Sequence, residues 1–170
     1  MVGLEKVTVD DVRNEVNPLQ VHEIRRPVSD ELGTDHVAMN YFELAPGDSF
    51  SGGLHRHRDQ EEIFHIQERT AVFEVGKQRV EVTVEAGEVL RFVPGEFQMG
   101  YAAERAGNRV IRWAIGAPSA THDWAQPESM IACRECAEEQ PHATELVEGR
   151  FRFTCTECGA EFEMRRQRRW

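Results

Sequence analysis

Short β-prone segments separated by glycine and proline turns follow one another from residue 37 to residue 118, and this pattern limits the possible folds more than any other feature. Residues 79–84 alternate valines with polar side chains, as expected for a strand with one buried face. Turn-forming residues stand at 45–48 and 85–87. No long helical period competes with this alternation. The sequence therefore predicts an all-β fold, either a sandwich or an antiparallel barrel.

Aromatic side chains are spread along these segments. An antiparallel barrel of this size needs large apolar side chains on its inner face, and aromatic rings supply the largest buried area per residue. We therefore expect most of the aromatic residues in this region to pack in the core, with one or two lining a pocket: Phe42, Phe50, Phe92, Phe97, Tyr101 and Trp113.

Two histidines and a glutamate lie in the middle of this region. His55 and His57 are two residues apart on a predicted strand, so their imidazoles point to the same face. Residues 58–60 can turn the chain, and a second strand over 63–73, opened by Glu62, would bring a carboxylate to the same place. Two neutral imidazoles and one carboxylate, with coordination positions left open, suit a divalent transition metal such as zinc, iron, manganese or nickel.

This block resembles motif 1 of the cupin superfamily, in which a His-x-His pair precedes a glutamate. Residues 87–98 resemble cupin motif 2, which consists of a glycine, a hydrophobic strand, a Pro/Gly turn and a fourth ligand. The resemblance covers residues 37–118, about half of the chain. It implies a single small cupin-type, jelly-roll-like antiparallel β-barrel, with His55, His57 and Glu62 as metal ligands. It also implies a homodimer.

Two residues depart from the cupin pattern. Arg69 stands where the family usually has the glycine of a tight turn, and Gln98 stands where motif 2 usually has a histidine. A glutamine carbonyl is a weaker and harder ligand than imidazole, so Gln98 is predicted either as a weak fourth ligand or as a hydrogen-bond donor to a bound molecule. We expect Met99 and Tyr101, as neighbours of Gln98, to line the pocket.

The function of the barrel has two interpretations, because the cupin architecture hosts dioxygenases, isomerases, decarboxylases and simple binders. In the first, the barrel holds a metal and acts on or binds a small molecule, with the metal as Lewis acid or, for iron, as the site of dioxygen binding. In the second, the barrel is a non-catalytic module that senses a small molecule. No general base can be named, since Glu61 and His65 are predicted to point away from the pocket. Whether the protein is an enzyme stays open.

The four cysteines of the chain form two CxxC pairs with 18 residues between them: Cys133, Cys136, Cys155 and Cys158. Thiolates at this spacing bracket a hairpin and converge on one tetrahedral zinc ion. Gly159 supplies the permissive backbone of a tight turn after the second pair, and Phe151, Phe153 and Phe162 supply a small core. A segment this short needs metal or disulfide support to fold. The pattern resembles a zinc ribbon with a structural zinc.

These elements predict a linear organisation of an N-terminal arm that packs on the barrel (1–36), the cupin barrel (37–118), a linker (119–130), the zinc ribbon (131–163) and a basic tail (164–170). The net charge of −10 argues against non-specific nucleic-acid binding as the main task. In the ligand-sensing interpretation, the zinc ribbon and the arginines of residues 165–169 contact a protein or nucleic acid. In a third interpretation, the ribbon binds nucleic acid and the barrel serves as a dimerising scaffold. No apolar run reaches the length of a membrane span, and the first residues lack a signal pattern, so we expect a cytoplasmic protein.

Overall fold

The computed structural model describes residues 3–15, 17–103, 109–120 and 127–164, and it consists almost entirely of antiparallel strands, as predicted. The described helical segments are a 3₁₀ turn at Val9–Asp11 and one short helix, α1, at Val28–Leu32. The strands are β1 (Ile24–Pro27), β2 (Ala38–Leu44), β3 (His55–Arg56), β4 (Glu61–Glu68), β5 (Ala71–Val75), β6 (Val80–Val84), β7 (Val89–Phe92), β8 (Gln98–Ala102), β9 (Val110–Ala117), β10 (Glu128–Cys133), β11 (Glu138–Val147), β12 (Arg150–Cys155) and β13 (Glu161–Met164). None of the described helices is long and apolar enough to cross a membrane.

The strands form two sheets. One has the order β1-β2-β9-β4-β7, and the other has the order β13-β12-β11-β10-β3-β8-β5-β6. The first sheet and the β3-β8-β5-β6 half of the second share one apolar core, because strands of both contribute to the same cluster of buried side chains. This arrangement is the barrel predicted from the alternating segments. Strand β1 comes from the N-terminal 36 residues and extends the first sheet as its edge beside β2.

Aromatic rings fill the barrel interior. Phe42, Phe50, Phe64 and Phe73 are each at most 6% exposed, and their ring centroids lie 5.1 to 6.1 Å apart in the recorded pairs. Gly100 on β8 makes room for them, since a Cβ atom there would lie 2.3 Å from the Phe50 ring. Of the predicted core aromatics, Phe42, Phe50, Phe92 and Phe97 are buried, as expected. Tyr101 and Trp113 are only half-buried.

The predicted strand over 63–73 is two strands. Strand β4 ends at Glu68, and β5 begins at Ala71. Between them Arg69 takes a left-handed backbone conformation with a φ of 70°, which reverses the chain. The turn was missed in the sequence because it contains no glycine to mark it. Arg69 adopts the conformation that the cupin resemblance assigns to a glycine at this position.

The second sheet continues without interruption from the barrel into the cysteine-bearing segment. Strand β10 pairs with β3 of the barrel through Glu128↔Arg56 and Ser129↔His55, and along its other edge it pairs with β11. The predicted linker of residues 119–130 consequently ends earlier, before Glu128, because its last residues join a long-range sheet. We call β10–β13, residues 128–164, the cysteine module.

Side chains also join the cysteine module to the barrel. Met130 packs with Leu54 and Phe97 in a small apolar cluster. The Glu128 carboxylate, whose residue is 6% exposed, accepts hydrogen bonds from Arg56 Nε at 2.8 Å and from Arg58 Nε at 2.6 Å. Burial alone would raise the pKa of Glu128, but the bonds from Arg58 and Arg56 outweigh it and hold the pKa below its ordinary value.

Candidate functional site

The structure brings His55, His57 and Glu62 together at the wall of a cavity inside the barrel. One ligand atom from each of the three residues lies within 4.8 Å of the others. His55 lies on β3 of the larger sheet and Glu62 on β4 of the smaller one, so the cluster joins the two faces of the barrel. His57 Nε2 is 3.6 Å from Glu62 Oε1. Two imidazoles and one carboxylate at this separation form a donor set that a divalent transition metal accepts.

The backbone fixes both histidines. His55 Nδ1–H donates to the Gly53 carbonyl at 3.1 Å, since a carbonyl can only accept, and the lone pair of Nε2 then faces Glu62 and Gln98. The carbonyl of His57 accepts a 2.6 Å hydrogen bond from the Gly95 N–H. Gly95 has a φ of 88° in the turn after β7, so the two sequence motifs meet through this bond.

Burial sets the protonation of the three groups. It lowers the pKa of His55 to about 4, with the charge of His57 acting in the same direction and Glu62 opposing it. Burial also lowers the pKa of His57 and raises that of Glu62, which nearby His55, Arg112 and Gln98 partly oppose. Both imidazoles are therefore neutral near pH 7, which is the form that binds a metal.

Gln98 lies directly opposite His55 in the β3–β8 register and completes the cluster. Its Nε2–H₂ group donates to His55 Nε2 at 3.1 Å and to Glu62 Oε2 at 2.6 Å. The side-chain amide can rotate by half a turn to present its carbonyl oxygen instead. Gln98 is therefore in reach both as a donor to the two neighbouring side chains and as an oxygen ligand.

The cavity beside this cluster has a volume of about 200 Å³. The rings of Phe42, Phe50 and Phe64 form its apolar part, and the His/His/Glu cluster lies at its polar part. Gln60, which is 6% exposed, adds an amide that donates to the Ser119 carbonyl at 2.7 Å. This volume is below the roughly 300–1,000 Å³ that is typical of sites for drug-sized ligands, so the cavity suits a smaller molecule.

The cysteine module forms part of the cavity wall. Ser129 pairs with His55 in the β3–β10 register, and Thr144, Phe151 and Phe153 also line the cavity. The Ser129 and Thr144 hydroxyls are 3.0 Å apart and hydrogen-bonded to each other. Sequence reasoning did not foresee this arrangement, because the pairing joins positions more than 70 residues apart.

Met99 and Tyr101 do not line this cavity. Along β8 the residues Gln98, Gly100 and Ala102 are buried, and Met99 and Tyr101 point to the opposite face. Met99 packs on the cluster around Leu54, and the Tyr101 hydroxyl donates to Glu81 at 3.1 Å. On β8 the cavity wall is formed by Gln98, and Met99 and Tyr101 do not contribute to it. His65 lies on β4, three residues after Glu62, and faces the opposite side of the sheet, as predicted.

Arg112 is the functional candidate that sequence reasoning missed. It lies on the inner face of β9 and is fully buried, at 0% exposure, in the cavity wall. Its strand holds Val110, Ala114 and Gly116 on that same face, while the larger Ile111 and Trp113 face outward. The small residues at every second position were the available indication, since they leave room for the phenylalanine rings on the neighbouring strand.

The cysteine module brings all four cysteines together, and none of them forms a disulfide. Cys133 Sγ is 3.6 Å from Cys158 Sγ, and Cys136 Sγ is 3.9 Å from Cys155 Sγ. Four thiolates about 2.3 Å from one zinc ion lie roughly 3.8 Å apart in a tetrahedron. Backbone N–H groups of Cys158 and Glu157 lower the pKa of Cys155 to about 7, which favours the thiolate there, whereas a hydrogen bond with Cys158 raises the pKa of Cys136. The geometry and chemistry of this set fit a tetrahedral metal site.

The chain has the double-stranded β-helix fold of cupins, in keeping with the resemblance of the two motifs. Solved structures with this fold align with the chain. The polyketide cyclase RemF from Streptomyces resistomycificus aligns at a TM-score of 0.61 and 19% identity, over 79% of this chain and 90% of that chain. A sugar phosphate isomerase from a cupin superfamily of Silicibacter pomeroyi aligns at 0.58 and 15% identity, over 95% and 92%.

A cupin protein from Bacteroides fragilis aligns at a TM-score of 0.55 and 18% identity, over 72% of this chain and 91% of that chain. Identities this low show the shared fold and leave the chemistry to the residues of this chain. No protein-family model matches the sequence, and no curated protein matches it.

Proposed function

We propose that the barrel is a metal-binding module that binds or acts on a small molecule. His55, His57 and Glu62 would hold one divalent transition-metal ion, and the adjoining cavity would hold the molecule. The observation that carries this proposal is the convergence of three donor atoms within 4.8 Å, at the wall of a buried cavity. Neutral imidazoles support it, since a metal competes with protons for these atoms.

A divalent ion at this site would supply Lewis acidity to an oxygen of the bound molecule. The chain would contribute the rest: Gln98 orients the ligand side chains or donates to the molecule, and the phenylalanine rings exclude water. Apart from His55, His57 and Glu62, the only titratable side chains among the described residues lining the cavity are two arginines, Arg25 and Arg112. Chemistry without a separate general base therefore fits best, in the manner of an isomerase or dioxygenase.

The alternative is a non-catalytic, ligand-sensing barrel, and Gln98 favours it. In the described geometry its amide nitrogen, and not an oxygen, faces His55 and Glu62. A Gln98→His variant separates the two readings. A large gain in metal affinity would indicate a nearly complete ligand set, whereas an unchanged affinity would put residue 98 outside it.

Cobalt(II) titration tests the metal site directly. The cysteine module is first filled with zinc, and the visible absorption of cobalt added afterwards then reports on the barrel. We expect saturable binding by the wild type, loss of it in His57→Ala, and retention in His65→Ala, whose imidazole is on the outer face of β4. Equal cobalt spectra for the three proteins would contradict the assignment of His57 as a ligand.

We further propose that the cysteine module is a zinc ribbon with a structural ion. Four thiolates leave no open coordination position, so a catalytic role is not expected there. The sulfur separations of 3.6 and 3.9 Å support this reading. The four described cysteines form no disulfide, which is in keeping with the cytoplasmic location that we also propose.

Two partner predictions remain proposals. A homodimer would use the outer face of the five-stranded sheet, where Tyr41, Trp113 and His65 lie side by side and the Tyr41 and Trp113 rings are 5.3 Å apart. Half-buried Ile63 and Ile115, also adjacent in register, enlarge this apolar face. A Trp113→Glu variant that stays dimeric by light scattering would contradict this interface. The predicted contact of the arginine tail with a protein or nucleic acid falls on residues 165–170, which lie outside the described residues.

A further inference from the structure

Arg112 is a buried cation whose hydrogen-bonding groups are not used within the described part of the protein. Its side chain is fully buried, and Nε and both terminal nitrogens have no hydrogen-bond partner among the described residues. A guanidinium carries five N–H donors, and leaving such donors buried and unpaired is costly. Burial lowers the pKa of Arg112 and Glu62 opposes this, yet a guanidinium stays protonated near pH 7.

Three phenylalanine rings surround the guanidinium. Its central carbon lies 4.5 Å from the Phe42 ring centroid, 5.0 Å from that of Phe64, and in closer contact with Phe50. Cation–π contacts of this kind stabilise a charge through the faces of the rings. They do not accept the in-plane N–H bonds, so the donor edge of Arg112 is left for another group.

Arg25 shows what a structurally paired arginine looks like in the same cavity wall. Arg25 and Arg112 both stand opposite Phe42, one on each neighbouring strand, and both are at most 3% exposed. Arg25 forms an ion pair with Glu15. No carboxylate among the described residues forms an ion pair with Arg112. The two arginines therefore differ, because Arg25 is ion-paired whereas Arg112, among the described residues, has only a longer-range electrostatic interaction with Glu62.

When the proposed metal is bound, the charge balance of the cavity gives a second reason for a ligand. The charged side chains among its described lining residues are Arg25, Glu62 and Arg112, and Arg25 is neutralised by Glu15. A divalent ion on Glu62 would leave a net charge of about +2 in an interior that water screens poorly. An anionic ligand that pairs with Arg112 removes most of this excess.

We propose that Arg112 is the anion-recognition residue of the barrel and that the small molecule bound there is an organic acid, whose carboxylate pairs with the guanidinium while another of its oxygens approaches the metal. The planar N–H fork of arginine matches a carboxylate with two parallel hydrogen bonds. The apolar rings favour a monoanion, because a phosphate dianion is costlier to bring into such surroundings. This inference rests on the proposed metal site for the second oxygen contact, but the role of Arg112 stands on its own burial and lack of a partner.

Calorimetric titration of the full-length, metal-loaded protein tests the inference. The probes are pyruvate, its neutral amide pyruvamide, benzoate and inorganic phosphate. Arg112→Met keeps a similar volume and removes the charge, Arg112→Lys keeps the charge and loses the fork, and Arg109→Met removes an exposed arginine three residues away as the matched control. Metal equivalents per chain are measured on each protein.

We expect the wild type to bind at least one of the two carboxylates and to prefer pyruvate to pyruvamide. Affinity for carboxylates should fall at least about tenfold in Arg112→Met, fall less in Arg112→Lys and be unchanged in Arg109→Met. Equal carboxylate affinity in Arg112→Met and wild type would overturn the inference, as would a wild type that binds neither carboxylate. Phosphate bound tenfold more tightly than pyruvate would overturn the choice of a carboxylate.

The metal analysis keeps the two proposals apart. If Arg112→Met retains its barrel metal and also its carboxylate affinity, the role of Arg112 fails and the metal site stands. If the wild type holds no barrel metal but binds benzoate in a manner that depends on Arg112, the proposed metal function fails and the anion-recognition role stands.

Discussion

The barrel cluster and the cysteine module use metal-ligand side chains in contrasting ways. In the barrel, His55 and Glu62 lie on strands of different sheets and His57 lies in the loop after β3, and they stay together because a core of phenylalanine rings joins those sheets. In the cysteine module, four sulfur atoms come from the two ends of a hairpin and the fold around them is thin. The barrel would therefore position a metal, whereas a metal would hold the cysteine module together.

The two clusters also differ in what they leave open. Four thiolates complete a tetrahedron, and three donors from imidazole and carboxylate leave positions free for a bound molecule. The barrel cluster lines a cavity together with Arg112, whose guanidinium has no hydrogen-bond partner among the described residues. Chemistry or ligand binding is therefore expected at the barrel, and a structural role at the cysteines.

Removal of one thiolate from the cysteine module should have the largest effect on folding stability. In Cys155→Ser we expect the cysteine module to lose several kcal/mol of stability, because in the proposed zinc ribbon binding of the ion would supply most of the folding free energy. The barrel core does not depend on these sulfur atoms. Hydrogen exchange should show loss of protection in β11 and β12, with β4 and β9 still protected. Thr154→Ser on the same strand is the control, and unchanged protection in Cys155→Ser would contradict the expectation.

Acid should destabilise the barrel through a buried histidine. Burial lowers the pKa of His22 to about 4, so the unfolded chain binds a proton below pH 6.5 that the folded chain binds only near pH 4. The contribution of His22 to folding stability is thus fully present above pH 6.5 and is lost as the pH drops toward 4. For metal-free protein we expect a loss of about 2 kcal/mol from His22 between pH 7 and pH 5.

Urea unfolding at the two pH values measures this effect. In His22→Gln the difference between pH 7 and pH 5 should shrink by most of that amount, whereas His36→Gln, at an exposed position before β2, should behave as the wild type. A pH dependence that is the same in all three proteins would show that the His22 proton does not contribute.

Glu128 connects the barrel and the cysteine module, and its replacement tests whether the two regions affect each other. Glu128→Gln removes the charge that pairs with Arg56 and Arg58, at a cost of about 1–2 kcal/mol given that Arg58 is largely exposed. Because β10 pairs with β3, we also expect weaker metal binding in the barrel. The metal of the cysteine module should be retained. Calorimetric unfolding and a metal competition assay measure both effects, and a change confined to the cysteine module would contradict this coupling.

The smallest effect concerns the two turns that follow the CxxC pairs. Ala137 and Gly159 occupy equivalent positions, with φ values of 59° and 74°. Only glycine adopts this conformation without strain, so Ala137→Gly should stabilise the cysteine module by about 0.5–1 kcal/mol. Gly159→Ala should destabilise it by about 1 kcal/mol, since an added Cβ meets no atom within 4 Å and the effect is purely conformational. Resistance of the bound metal to a chelator measures both, and changes of the same sign would contradict the argument.

The parts of the fold that depend on local pattern could be predicted from the sequence. Alternation and turns were sufficient for an antiparallel all-β fold, and the resemblance of the two motif blocks implied the barrel. The CxxC spacing was sufficient for the convergence of four sulfur atoms. His55, His57 and Glu62 were found because their spacing on two strands brings them together. These features involve neighbours in sequence, where strand geometry alone decides which way a side chain points.

The parts that depend on long-range pairing could not be predicted. Arg112 looks like an outward-facing residue beside Ile111 and Trp113, and it is buried because β9 pairs with β2 and β4 in the opposite phase. A shift of one residue in register exchanges the two faces of a strand. Met99 and Tyr101 are a separate case, because alternation along β8 places them on the face opposite Gln98 whatever the register. The limit of long-range pairing does apply to β10, whose pairing with β3 carries the cysteine module to the cavity.

Metal analysis of the purified protein tests whether the barrel cluster and the cysteine module each hold a metal ion. Elements and equivalents per chain are counted for the wild type and for the His55→Ala/His57→Ala double variant. We predict two metal ions per chain in the wild type, and one zinc ion in the variant, retained by the cysteine module. One zinc ion in both proteins would contradict the account, because the barrel cluster would then hold no metal.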